Sequence, residues 1–150
     1  MPIPLFDPAT GYLPPGLHLA TEAEVGNRLG SGNPQRNLLF EYLQRLLTAA
    51  RRLQALRLFI DGSFVTDKER LKGEPPQDID CALWLPGPAF AAAYHAGNPD
   101  ARFLFGLHLT RKVGLLDLYL AFDQGEWDRW VRFFGSDDED VPKGCVEVAL

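Results

Sequence analysis

Two short apolar segments constrain what this chain can fold into, because each carries aspartate at one end. Arg57-Leu58-Phe59-Ile60-Asp61 reads as a strand that stops at Gly62-Ser63. The next apolar segment, Ile79 to Leu85, opens on Asp78-Ile79-Asp80. Side chains of a strand alternate between faces, so Asp78 and Asp80 project to one side and Ile79 to the other. Two like charges on one face repel each other and are tolerated best with a cation between them. A chain with this pattern has to build a sheet that presents paired carboxylates beside a Gly-Ser turn.

A third strand sharpens the constraint. From Val113 to Phe122, one face carries Val113, Leu115, Asp117, Tyr119 and Ala121, and the other carries Leu116, Leu118, Leu120 and Phe122. Asp117 is a carboxylate inside an apolar strand, where an unpaired charge is costly. It needs a cation or hydrogen-bond partners, and Arg111 is one candidate partner. If this strand lies beside Asp78 and Asp80, three carboxylates converge on one point. Three acids suit one or two Mg²⁺ ions, which take oxygen ligands and keep water and substrate phosphate oxygens. Such ions activate an attacking hydroxyl and stabilise a leaving pyrophosphate. Gly62 lets backbone approach a phosphate closely, and Ser63 can donate a hydrogen bond to it. A Gly-Ser pair alone is usually a turn, and an Asp-x-Asp alone is usually solvated. The combination, in this order and at strand positions, points to a site.

The remaining elements follow from local signals. Residues 1–20 hold Pro2, Pro4, Pro8, Gly11, Pro14, Pro15 and Gly16, and read as an extended N-terminal arm ahead of a domain over 21–150. Leu5, Phe6, Tyr12, Leu13 and Leu17 let that arm dock. Thr21-Glu22-Ala23-Glu24 has the form of a capping box, with a stop at Gly30. Asn33-Pro34 then reads as a cap followed by proline at the first helical position. Apolar residues from Leu38 to Leu56 recur at helical spacing and predict the longest helix, about 35–55. Thr66 to Gln77 reads as a polar loop. Ala89 to Ala96 reads as a small helix stopped by Gly97-Asn98-Pro99. Gln124 to Phe134 reads as a helix, and Gly144 to Ala149 as a last strand. The expected class is α+β, a small sheet with helices packed on it.

Composition narrows the partners. The chain has 150 residues, 46% of them hydrophobic, so it can bury a core and is one domain by size. Its net charge of −5 argues against non-specific binding to nucleic-acid polymers, which needs a basic surface. It does not exclude a mononucleotide held at one metal-bearing site. Cys81 and Cys145 lie in apolar runs and read as free buried thiols in a reducing compartment. Met1-Pro2-Ile3-Pro4 lacks the pattern of a signal peptide, and no apolar run is long enough to span a membrane, so the cytoplasm is expected. His18, His95 and His108 lack metal-ligand spacing, although His18 in the arm could lie near the site. Arg45, Arg51 and Arg52 read as a solvated face. Arg111-Lys112 read as a solvated edge, with triphosphate contact as the other reading. Asp137-Asp138-Glu139-Asp140 reads as a solvated acidic loop. Trp127, Trp130, Phe133 and Phe134 read as the packing face of the last helix.

Gly62-Ser63, Asp78-Ile79-Asp80 and Asp117 resemble the Gly-Ser, Asp-x-Asp and third-acid pattern of the DNA polymerase β-like nucleotidyltransferase superfamily. The chain is similar in particular to small prokaryotic proteins of that fold. The points of likeness are Leu13-Pro14-Pro15-Gly16-Leu17-His18, Asp61-Gly62-Ser63-Phe64-Val65-Thr66 with Lys68, Pro76-Gln77-Asp78-Ile79-Asp80, Trp130 with Phe133-Phe134, and Lys143-Gly144 before Val146-Glu147-Val148. The resemblance implies a nucleotidyltransferase-like mixed sheet flanked by helices. It also implies Mg²⁺ and transfer of a nucleoside monophosphate from a nucleoside triphosphate to a hydroxyl on a protein, an RNA end or a small molecule. Asp78 and Asp80 would be metal ligands, and Asp117 a third ligand or the base. Gly62 and Ser63 would hold the β- and γ-phosphates, and Lys68 a further triphosphate contact. The larger enzymes follow Gly-Ser with a helix bearing an arginine or another polar group. Here Phe64-Val65-Thr66-Asp67-Lys68-Glu69 and a proline-rich loop stand instead. The resemblance extends to a role in a toxin–antitoxin or phage-defence pair, with a protein partner encoded nearby. The alternative is a catalytically silent module of the same fold that binds a protein partner or nucleotide.

Overall fold

The structure, a computed structural model, describes residues 3–111 and 114–150. Five strands, β1 (Gly16–Ala20), β2 (Arg57–Asp61), β3 (Ile79–Trp84), β4 (Leu116–Ala121) and β5 (Gly144–Val148), form one mixed sheet in the order β1-β5-β2-β3-β4. Six α-helices accompany it among the described residues: α1 (Glu22–Arg28), α2 (Pro34–Arg52), α3 (Lys68–Lys72), α4 (Gly87–His95), α5 (Pro99–Leu109) and α6 (Gln124–Phe134). β2 pairs antiparallel with both β3 and β5, whereas β3–β4 and β1–β5 are parallel. A parallel pair needs a crossover, and α4 and α5 supply it between β3 and β4.

The helix starts follow the capping chemistry of the sequence. Thr21 and Glu24 form a reciprocal capping box on α1. The Asn33 side chain accepts from the Arg36 N–H at 2.9 Å at the start of α2, with Pro34 in the first turn. Leu39, Leu43, Leu46, Leu47 and Ala50 then bury one stripe of α2 against Leu58, Ile60, Cys81, Leu83 and Leu118 of the sheet. The opposite face carries Phe59, Ala82, Tyr119, Ala121 and Cys145 beneath Trp127 and Phe134 of α6. Burial of this apolar surface on both faces is the main stabilising term. Cys81 and Cys145 are free and buried.

The structure corrects four readings. The arm is not only a surface strap: its residues 16–20 form edge strand β1, and Ile3 and Leu13 are buried in the core. The segment read as a polar loop, Thr66 to Gln77, contains α3. Residues after Asn98 form α5, because Asn98 accepts from the N–H groups of Asp100 and Ala101 and Pro99 occupies the first turn. The third strand runs from Leu116, later than expected, and Val113 lies outside the described residues.

Candidate functional site

Strand register decides where the acids fall. Asp61 sits opposite Asp80 in the β2–β3 pair, and Asp80 sits opposite Asp117 in the β3–β4 pair. The three therefore form a row across adjacent strands, on the face that carries Phe59, Ala82 and Tyr119. Asp78 joins the same face two positions before Asp80. α6 covers this face, but the chain turns away after Phe134 and leaves the row open to a cleft. Asp78, Asp80 and Asp117 each offer a carboxylate oxygen within 4.8 Å of the others.

Burial, and for Asp78 and Asp80 the neighbouring carboxylates as well, disfavour charge in this group. Burial, reinforced by Asp78, Asp61 and Asp117, pushes the Asp80 carboxyl up to about 7. Asp78 is also raised, by burial and by Asp117, with Lys68 opposing. Asp61 is fully buried and rises to about 6, chiefly by desolvation, against the pull of Lys143. Lys143 Nζ lies 3.0 Å from Asp61 Oδ2, yet neither carboxylate oxygen of Asp61 has a well-formed hydrogen bond. The donor set around Asp78, Asp80 and Asp117 is all carboxylate. That chemistry fits a hard cation such as Mg²⁺ and relieves the mutual repulsion.

Two adjoining clefts surround the row. The first, about 810 Å³, is lined by Asp78, Asp80, Asp117, Arg132, Phe133 and Lys143, and walled by the loop carrying Asp137, Asp138 and Asp140. The second, about 350 Å³, is lined by Tyr12, Gly62, Ser63, Thr66, Lys68, Lys72 and again Lys143. One cleft is acidic and the other carries three lysines.

Gly62 stands between them with φ +82°, a conformation that favours glycine, and a Cβ there would lie 2.8 Å from Asp80 Oδ2. The turn after it is tied to α2. Arg36, buried on that helix, donates to the carbonyls of Leu29, Phe64 and Thr66 and pairs in fork geometry with Glu69 of α3. Tyr12 O–H donates to Asp137 Oδ2 at 2.6 Å, which fastens the arm to the acidic loop and pushes the phenol up to about 12. Asp137 Oδ1 accepts from the Glu139 and Val141 N–H groups. The acidic loop is exposed at Asp138, Glu139 and Asp140, as its composition predicts, and is also an ordered wall of the cleft.

Asp78, Asp80, Asp117, Gly62, Ser63 and Lys68 all line one or other cleft. Lys68 does so from α3, where it stands 3.6 Å from Glu74. His18 instead donates to the Pro14 carbonyl from β1. Arg111 lies over the Tyr119 ring, and Lys112 is outside the described residues. Phe133 is 63% exposed at the mouth of the acidic cleft, unlike its buried neighbour Phe134. Sequence reasoning gave no role to Asp61, Arg36 or Lys143. Arg36 had a legible signal, since it falls on the apolar stripe of α2 three residues before Leu39. Asp61 had another, sharing a strand face with Phe59.

These features define a single-domain α+β protein with a carboxylate cluster at the ends of adjacent strands. A family model described as a family of unknown function, DUF6932, matches residues 4–149, and the chain belongs to that family. No curated protein and no solved structure matches the chain. Among the described residues, no helix is long and apolar enough to cross a membrane.

Proposed function

We propose that this protein is a Mg²⁺-dependent nucleotidyltransferase that moves a nucleoside monophosphate from a nucleoside triphosphate to an acceptor hydroxyl. The observation that carries this reading is the convergence of Asp78, Asp80 and Asp117 within 4.8 Å, beside a cleft lined by Gly62, Ser63 and lysines. Asp78, Asp80 and Asp117 would hold Mg²⁺, which when bound supplies positive charge to the phosphate oxygens. Gly62 and Ser63 receive the β- and γ-phosphates, with Lys68 beside them. Arg36 keeps this turn in place through its bonds to the Phe64 and Thr66 carbonyls.

In the transfer, the acceptor oxygen bonds to the α-phosphorus as the bond from that phosphorus to the bridging oxygen breaks. Pyrophosphate departs with the electron pair, and the acceptor proton passes to a carboxylate of the cluster, Asp117 in this reading.

Calorimetric titration with each nucleoside triphosphate, with and without Mg²⁺, tests the site. Metal-dependent binding is expected in the wild type and absent in Asp78→Asn and Asp80→Asn. Folded protein that binds no triphosphate under any condition overturns the proposal. Metal-dependent binding with no transfer to any supplied acceptor moves the reading to a nucleotide-binding module.

A further inference from the structure

Among the described residues, Lys143 is the one that lines both clefts. Its backbone is pinned on either side: its own N–H donates to the Gly135 carbonyl and that of Gly144 to Leu13, both at 3.0 Å. A Cβ on Gly144 would collide with the Pro14 carbonyl, so the arm and the start of β5 close tightly around this point. The Lys143 side chain is only 15% exposed, and its ammonium sits 3.0 Å from Asp61. An ammonium has three donors, and an ion pair with one carboxylate cannot occupy all of them. Asp61 in turn is wholly buried at the end of β2, with both carboxylate oxygens short of hydrogen bonds. A buried ion pair is a poor way to gain stability, because apolar residues of similar size do as well. This pair spends that desolvation at the seam between a phosphate-sized cleft and a carboxylate cluster.

We propose, resting on the nucleotidyltransferase reading, that Lys143 binds the phosphate chain where the α- and β-phosphates meet and takes up the charge of the departing pyrophosphate. Asp61 is its positioning residue: it holds the ammonium at the seam without touching the nucleotide. A triphosphate with its β- and γ-phosphates at Gly62 and Ser63 and its α-phosphate toward Asp78 and Asp80 has to pass Lys143. The bond that breaks then lies beside a cation already stripped of most of its water, where its attraction for developing negative charge is strongest.

The test compares wild type, Lys143→Met and the double variant Lys143→Met/Asp61→Asn. The double variant removes both charges and leaves no unpaired buried ion, so it keeps the fold testable. Affinities for the Mg²⁺ complexes of a nucleoside triphosphate, inorganic pyrophosphate and the matching monophosphate are measured by calorimetry, and Mn²⁺ binding without nucleotide by electron paramagnetic resonance. Triphosphate and pyrophosphate binding are expected to weaken about 10- to 100-fold in both variants. Monophosphate and Mn²⁺ binding are expected to stay within about twofold, a split that general damage to the fold does not produce. Asp61→Asn alone should show the same pattern, and less strongly. A folded double variant that binds pyrophosphate as wild type does overturns the role of Lys143 while leaving the nucleotidyltransferase reading standing. Wild-type protein that binds neither triphosphate nor pyrophosphate overturns both.

Discussion

Gly62 meets two demands at one atom. Its φ of +82° is a region that L side chains rarely adopt, and any Cβ would press on the Asp80 carboxylate at 2.8 Å. Gly62→Ala therefore strains the backbone and displaces a proposed metal ligand together. We expect a loss of about 1–2 kcal/mol in urea denaturation, from the backbone alone. We also expect Mg²⁺-dependent nucleotide binding to fall well beyond what that loss of stability explains. A variant with wild-type affinity would mean that neither the turn nor Asp80 meets the nucleotide. Asp78, Asp80 and Asp117 are readable from sequence because a strand's period of two fixes which residues share a face. Lys143 is not, since its position depends on strand β5 reaching the middle of the sheet from the far end of the chain.

At the level of elements, Arg36 joins three of them. From α2 it reaches the turn after β2 and the short helix α3, and it bonds the C-cap of α1 through the Leu29 carbonyl. Arg36→Leu leaves three carbonyls without their donor and Glu69 without its ion-pair partner. We expect a loss of about 3 kcal/mol in denaturant. Hydrogen exchange should rise first at the Val65 and Thr66 N–H groups, whose own bonds go back to Gly62 and Ser63. Uniform exchange throughout the chain would show that the arginine supports the core and has no special hold on the turn. The same network explains why the sequence of α3 reads as loop. Its five residues bury nothing, and its order depends on Asn33 and Arg36 gripping Glu69 from another helix. α5 is illegible in the sequence for a different reason. Asn98-Pro99 can end one helix and begin another, and the same dipeptide at Asn33-Pro34 marks the start of α2. β1 was hidden because its partner, β5, lies at the opposite end of the chain and parallel pairing leaves no hairpin signal.

For the whole molecule, the carboxylate row ties stability to pH and to metal. Asp80 at about 7 and Asp61 at about 6 both stand above the ordinary 3.8, so between pH 4 and 7 the folded state binds more protons than the unfolded one. Their contribution is fully present below the unfolded value and is lost as pH rises through 6 and 7. Glu22 and Glu69 are shifted the other way, by Arg51 and Arg36, and their contribution disappears only as pH falls below the usual carboxylate range. The metal-free protein is therefore expected to be most stable near pH 4, where the two sets of contributions meet, and to lose Tm steadily as the pH rises to 7.5. Asp80→Asn should raise Tm at pH 7.5 and flatten the profile, because it removes the repulsion without removing packing. Mg²⁺ should do the same for the wild type at pH 7.5, by binding the deprotonated cluster, and far less at pH 5, where protons compete for the same oxygens. Thermal melts at both pH values, with and without Mg²⁺, check all three expectations. A Tm indifferent to Mg²⁺ at pH 7.5 would leave the row as repulsion sustained by the fold, with no cation as its counterpart.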